Sequence, residues 1–131
     1  MFLDQMFNQG STPVLERMLQ FTAARQKLIS ENVVNISVPN YRQKDLSLEK
    51  FQQLLRDRVE ERDGSGTARF DDITAELEQP GHGMLFHDGV NRSMEQLMTD
   101  QAKNGMMHNF IVELLRKQFQ TMEMALKERV G

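Results

Sequence analysis

From Asn91 to Arg129 this 131-residue chain contains no proline and a single glycine, Gly105. A run of that kind propagates as one helix, and at 1.5 Å per residue it forms a rod of roughly 57 Å. Few chains this short can cover such a rod, so the fold is constrained to supply it with partners. Asp88-Gly89-Val90-Asn91 is a turn-forming cluster before it, with Asn91 as the expected cap. Along the rod, Met94, Met98, Gln101, Gly105, His108, Val112, Leu115, Phe119, Met122 and Leu126 follow a 4-3 spacing. Met107, Ile111, Leu114, Thr121 and Ala125 form a second line beside it. One helix therefore presents two seams.

A second long helix is expected near the start. Thr12 can cap it, and Pro13 suits its first position because φ is already fixed and no N–H is wasted. It should end by Ser37, since the ring of Pro39 drives Val38 out of the helical region and makes Val38-Pro39-Asn40-Tyr41 a turn. This helix also has two lines. Leu15, Leu19, Thr22, Gln26, Ile29, Val33 and Ile36 form one, and Val14, Met18, Phe21, Arg25, Leu28, Asn32 and Asn35 the other.

A two-helix hairpin covers one seam on each member, so each second seam needs the middle of the chain or another molecule. The middle offers one short helix, about Leu48 to Glu61, with Ser47 as its cap and Leu48, Phe51, Leu55 and Val59 on one face. Asp63-Gly64-Ser65-Gly66-Thr67 and Gln79-Pro80-Gly81-His82-Gly83 read as breaks, leaving Met84-Leu85-Phe86 as a short extended piece. Adding Leu54, Phe70, Ile73 and Leu77 still gives too few large apolar side chains to cover two long helices. Burying about ten more between molecules would contribute on the order of 15–20 kcal/mol gross. The fold class is thus mostly α, a single domain over 1–131. Long terminal helices (12–37 and 91–130) pack as an antiparallel, coiled-coil-like pair, and a linker region (38–90) carries a short helix and irregular loops.

Composition narrows function mainly by exclusion. The formal charge is −3, with 16 basic residues interspersed among 19 acidic ones, so no basic stripe is available for nucleic acid or anionic lipid. The chain has no cysteine, hence no disulfide, thiolate catalysis or cysteine zinc site. Met1-Phe2-Leu3-Asp4 lacks the basic start and long apolar run of a cleaved secretory signal. No stretch reaches the ~20 apolar residues of a membrane span. Ten methionines and no tryptophan suit helix contacts that adapt to differing neighbours, as well as ordinary core filling.

Sites for chemistry are sparse. His82, His87 and Asp88 match no zinc spacing, and Asp63-Gly64-Ser65-Gly66 lacks the later ligands of a calcium loop. His108 stands on an apolar line, where it packs or meets a neighbour rather than serving as a base. Glu113 with Lys117 and Glu123 with Lys127 are i,i+4 pairs of a solvated face. No nucleophile elbow or phosphate loop is present. The expectation is a protein that is not an enzyme and has no cofactor or metal.

The most specific local pattern is Asn32-Val33-Val34-Asn35-Ile36-Ser37-Val38-Pro39-Asn40-Tyr41. Asparagine amides near a helix end can bond its freed carbonyls and the turn backbone, fixing the direction in which the chain leaves. The stretch resembles the N-terminal motif of the flagellar axial proteins (rod, hook and hook-associated subunits), with Asn32, Asn35, Pro39 and Tyr41 at its positions. Asn40 stands where glycine is usual, the other residue that tolerates a left-handed backbone. Arg42-Gln43-Lys44-Asp45-Leu46 and Asp88-Gly89-Val90-Asn91-Arg92-Ser93-Met94-Glu95 extend the likeness, most closely to short proximal rod members.

The resemblance implies a structural subunit of the basal-body rod, exported without a cleaved signal peptide through the flagellar type III apparatus and assembled in the periplasm. It implies partners among other rod proteins, inner-membrane ring and export-gate proteins, and further copies of itself. No direct membrane insertion is implied. Subunit packing is expected to use Leu15, Leu19, Ile29, Val33, Ile36, Val112, Leu115, Phe119, Met122 and Leu126. The alternative is a soluble helical adaptor or chaperone that binds a partner helix, which would melt as a self-contained bundle with both ends protected.

Overall fold

The computed structural model describes residues 12–65, 73, 77, 85–88 and 91–130. In order they form helix α1 (Thr12–Val34), strand β1 (Lys44–Leu46), helix α2 (Leu48–Ser65), strand β2 (Phe86–Asp88) and helix α3 (Met94–Val130). The two long helices pack against each other in antiparallel fashion, as contacts between Thr12 and Gln118 and between Ser30 and Gln101 require.

Local chemistry accounts for most helix boundaries. The Thr12 hydroxyl does not cap its own helix, which already includes Thr12; it donates to Gln118 Oε1 and ties the start of α1 to α3. Helix α1 closes at Val34, three residues before the proline limit, and 35–40 continue as turns. Ser47 caps α2, its hydroxyl accepting the Lys50 N–H at 3.2 Å. That helix runs on through Asp63 and Gly64 to Ser65, where a break was expected, and Gly66 and Thr67 lie outside the described residues. The cap of α3 is Ser93 rather than Asn91. Its hydroxyl accepts the Gln96 N–H at 3.2 Å, while Gln96 Oε1 accepts the Ser93 N–H at 2.9 Å, a reciprocal capping box.

The middle segment, expected to hold irregular loops with an extended piece at 84–86, contributes a two-stranded antiparallel sheet: Lys44, Asp45 and Leu46 face Asp88, His87 and Phe86. Of the extended piece expected at 84–86, Phe86 belongs to the strand and Leu85 precedes it in a turn. The Ser47 N–H adds a bond to the Leu85 carbonyl at 2.8 Å.

Two cores result. In the larger, Phe21, Ala24 and Leu28 of α1 meet Leu46, Phe51, Leu55, Ile73, Leu77 and Leu85. The rings of Phe21 and Phe51 stack with centroids 4.2 Å apart. The second line of α1 is therefore covered by the middle of its own chain. The smaller core, Leu15 with Ile111 and Leu115, joins α1 to α3. On α3 the buried positions are Leu97, Asn104, Ile111, Leu115 and Met122, with Gln101, His108 and Gln118 half-buried between them. This is a 4-3 alternation that neither expected line reproduces in full. Met98, Phe119 and Leu126 lie beside it and are exposed. Apolar character misleads here because the true seam carries amides and a histidine.

Candidate assembly surface and the turn that orients it

The Asn32–Tyr41 motif forms a compact hydrogen-bonded device. Asn35 donates twice to the Glu31 carbonyl, from its side-chain amide at 2.8 Å and from its backbone N–H at 3.0 Å, reinforcing the last turn of the helix. Val38 to Tyr41 closes a turn, the Tyr41 N–H reaching the Val38 carbonyl at 3.3 Å. Pro39 occupies its second position and Asn40 its third, where φ is 64°, the residue pattern of a type II turn. Asn32 is buried. Its amide nitrogen donates to the Lys44 carbonyl at 2.7 Å, and its oxygen accepts the Lys44 N–H at 3.0 Å and the Tyr41 hydroxyl at 3.1 Å. One side chain thus treats β1 as a neighbouring strand would. Burial pushes the Tyr41 hydroxyl pKa upward, and the Glu31 carboxylate adds to the shift.

A second polar knot joins β1 to both long helices. Asp45, buried, accepts Arg25 Nε at 3.0 Å and Nη2 at 3.2 Å, Arg92 Nη1 at 2.8 Å, and the Leu46 N–H at 2.7 Å. Burial alone would raise its carboxyl pKa. The hydrogen bond and charge of Arg25, then the bonds from Arg92 and Leu46, outweigh that and hold it below the ordinary carboxylate value. Arg92 Nη1 also reaches Asp100 at 2.8 Å. Gln43 brackets the Arg92 main chain, donating to its carbonyl and accepting its N–H, both at 2.8 Å. The end of α1, the strand and the start of α3 are consequently held as one piece.

What that piece presents is α3. Met94, Met98, Met106, Phe110, Phe119, Met124 and Leu126 are exposed along its length, Met106 by 72% and Phe110 by 64%. Four are methionines, side chains that adapt to irregular partners. A furrow runs between α1 and α3. Leu19, Val112, Leu115 and Phe119 line a cleft of about 340 Å³ at one end, and Gln26, Lys27, Ser30, Asn104 and Asn109 line one of about 470 Å³ at the other.

The residues expected to pack between subunits divide by location. Leu15, Ile29, Leu115 and Met122 are buried within the chain; Leu19, Val33, Ile36 and Val112 are half-buried; Phe119 and Leu126 are exposed. Only the latter groups retain surface for a neighbour. Met106 and Phe110, the most exposed large apolar side chains on α3, share a face through their i,i+4 spacing but fall on neither expected line. Among the charged pairs, Glu123 meets Lys127 at 3.7 Å, while Glu113 pairs with Arg116 at 2.6 Å rather than Lys117.

His108 is committed to packing, with Nδ1 at 2.8 Å from the Thr22 hydroxyl. The Thr22 hydroxyl also lies 2.9 Å from the Leu19 carbonyl; if it donates there, His108 Nδ1 carries the proton. His82 lies outside the described residues, as do the side chains of His87 and Asp88. Among the described residues no group of three His, Cys, Asp or Glu side chains is placed to hold a metal. No helix there is long and apolar enough to cross a membrane.

The site is a pair of long helices with a hydrogen-bonded exit turn and, on α3, large apolar side chains that no described element covers. The chain is similar to the flagellar basal body rod protein FlgB of Bacillus subtilis (strain 168), with 27% identity over 123 residues covering 89% of this chain and 93% of the relative. No family model and no solved structure matches.

Proposed function

We propose that this chain is a structural subunit of the bacterial flagellar basal-body rod, of the proximal type, which packs by its long helices into the hollow shaft that transmits torque. The observation that carries the reading is the set of large apolar side chains exposed on α3 that no described element of the same chain covers: Met98, Phe119 and Leu126 beside the seam, and Met106, Phe110 and Met124 on a second face. Exposed apolar surface of this extent on one helix supports a protein–protein contact. The near full-length similarity to a rod protein, at 27% identity, supports the choice of assembly.

In this reading Met106 and Phe110, with Phe119 and Leu126 nearer the end of α3, meet neighbouring subunits. The furrow beside Leu19 and Val112 receives part of a neighbour's helix. The neighbours are further copies, other rod proteins, and inner-membrane ring and export-gate proteins, and the site of assembly is the periplasmic rod, reached by type III export. Contacts between unlike patches suit a shaft because they propagate rather than close.

The test is complementation of a deletion strain with the wild-type gene or with Phe110→Asp, scored by swimming and by electron cryotomography of basal bodies. The reading expects the deletion to leave inner rings without rods, and Phe110→Asp to remain folded yet fail to restore them. Normal rods in the deletion strain would overturn it.

A further inference from the structure

The seam between α1 and α3 contains a polar layer that the pairing of two apolar helix faces does not require. Asn104 is 1% exposed. Its amide nitrogen donates to the Thr22 carbonyl and to Gln26 Oε1, each at 2.8 Å, and one turn onward the Thr22 hydroxyl meets His108. The Asn104 oxygen is buried without a hydrogen-bond partner. Burying an amide with one atom unsatisfied costs stability relative to an aliphatic side chain of similar size. Its retention at the centre of the seam therefore points to a role other than stability.

We propose that Asn104, with Thr22 and His108, sets the register of the α1–α3 pair by excluding pairings displaced by one heptad. The seam alternates 4-3 on both helices, so a slide of seven residues, about 10.5 Å, would bring the same faces together again. In the observed register polar meets polar throughout: Thr12 with Gln118, Thr22 with His108, Ser30 with Gln101. A slide one way places Asn104 against Leu19 and His108 against Leu15; the other way, they face Val33 and Ile29. The amide would then be buried among aliphatic groups with no acceptor. Register matters because it fixes where the exposed residues of α3 stand relative to the turn and the β1 knot. Arg92 lies just before α3 and is the competing restraint, since it binds Asp45 and Gln43.

The chain has no cysteine, so Glu16→Cys and Glu95→Cys in the full chain can carry spin labels on exposed positions, roughly 30 Å apart along the axis. Pulsed EPR of the parent should give one distance. Adding Asn104→Leu should split it into two populations about 10 Å apart, with a melting temperature no lower than the parent's. A single, unshifted distance in Asn104→Leu would overturn the proposal and leave the Arg92 knot as the determinant. Should Asn104→Leu not fold, Thr22→Val with His108→Leu replaces the other half of the layer by apolar groups, and the same two outcomes decide.

Discussion

Asn32→Ala isolates the contribution of the exit turn, because this side chain alone satisfies both main-chain groups of Lys44 on the side away from β2. Three hydrogen bonds disappear, of 2.7, 3.0 and 3.1 Å. Two of them leave a strand N–H and carbonyl without partners beside a buried position. An unsatisfied buried polar group costs about 1–3 kcal/mol, and the Lys44 side chain is exposed, so water can reach part of the site. A loss of about 2–4 kcal/mol is expected, which for a chain of this size lowers the melting temperature by roughly 8–15 °C. Circular dichroism at 222 nm with heating, together with urea unfolding, measures it. Asn32→Asp keeps both acceptor bonds but cannot donate to the Lys44 carbonyl, and should fall between Ala and wild type. A loss under about 1 kcal/mol for Asn32→Ala would refute the claim that this amide holds β1 to α1.

Four further outcomes follow from the same contacts. The folded Asp45 carboxyl has a depressed pKa, so its contribution is present above the unfolded value of about 3.9 and fades as pH falls through the lower folded value. Urea midpoints should therefore hold from neutral pH to about pH 5 and drop below about pH 4. Asp45→Asn should lose about 2 kcal/mol at pH 7, allowing for the partial exposure of both arginines, and show a shallower acid decline. At Gly105 an added Cβ would meet nothing within 4 Å, so Gly105→Ala should raise stability by about 0.5–1 kcal/mol in thermal melts. Asn40→Val forces a β-branched residue to a φ of 64° and should cost about 1–2 kcal/mol, while Asn40→Gly should be close to neutral. Ile111→Ala empties the centre of the α1–α3 core and should cost about 2–5 kcal/mol, whereas exposed Phe119→Asp should leave the melt nearly unchanged and act only on assembly.

The sequence was most informative where chemistry is local. Pro39 and Asn40 dictate a turn whatever surrounds them, and Ser47 caps the helix that follows it. Ser93-Met94-Glu95-Gln96 held an equally local signal, a serine three residues before a glutamine, which the turn-forming Asn91 obscured. Reading the seam of α3 was harder. Met98, Phe119 and Leu126 are as apolar as the residues that are buried, while Gln101, Asn104 and His108 look like surface. The seam is recognisable only once Thr22, Gln26 and Ser30 stand opposite those polar groups. Of the apolar residues exposed on α3, Phe119 and Leu126 lie on a line that spacing picks out. Met106 and Phe110 do not, and their exposure depends on which face α1 takes.

By itself, then, the sequence determined two long helices, a limit beyond which the first cannot run, and the absence of cysteine chemistry, since each follows from φ restrictions, propensity or residue type within a few positions. The tertiary structure decided which lines of those helices are covered and how β1 is held. Asp45 gains its partners from Arg25, twenty positions earlier, and Arg92, forty-seven later. Hydrogen bonds and burial across such separations depend on the packed geometry of all the elements at once, which no local pattern of residues encodes.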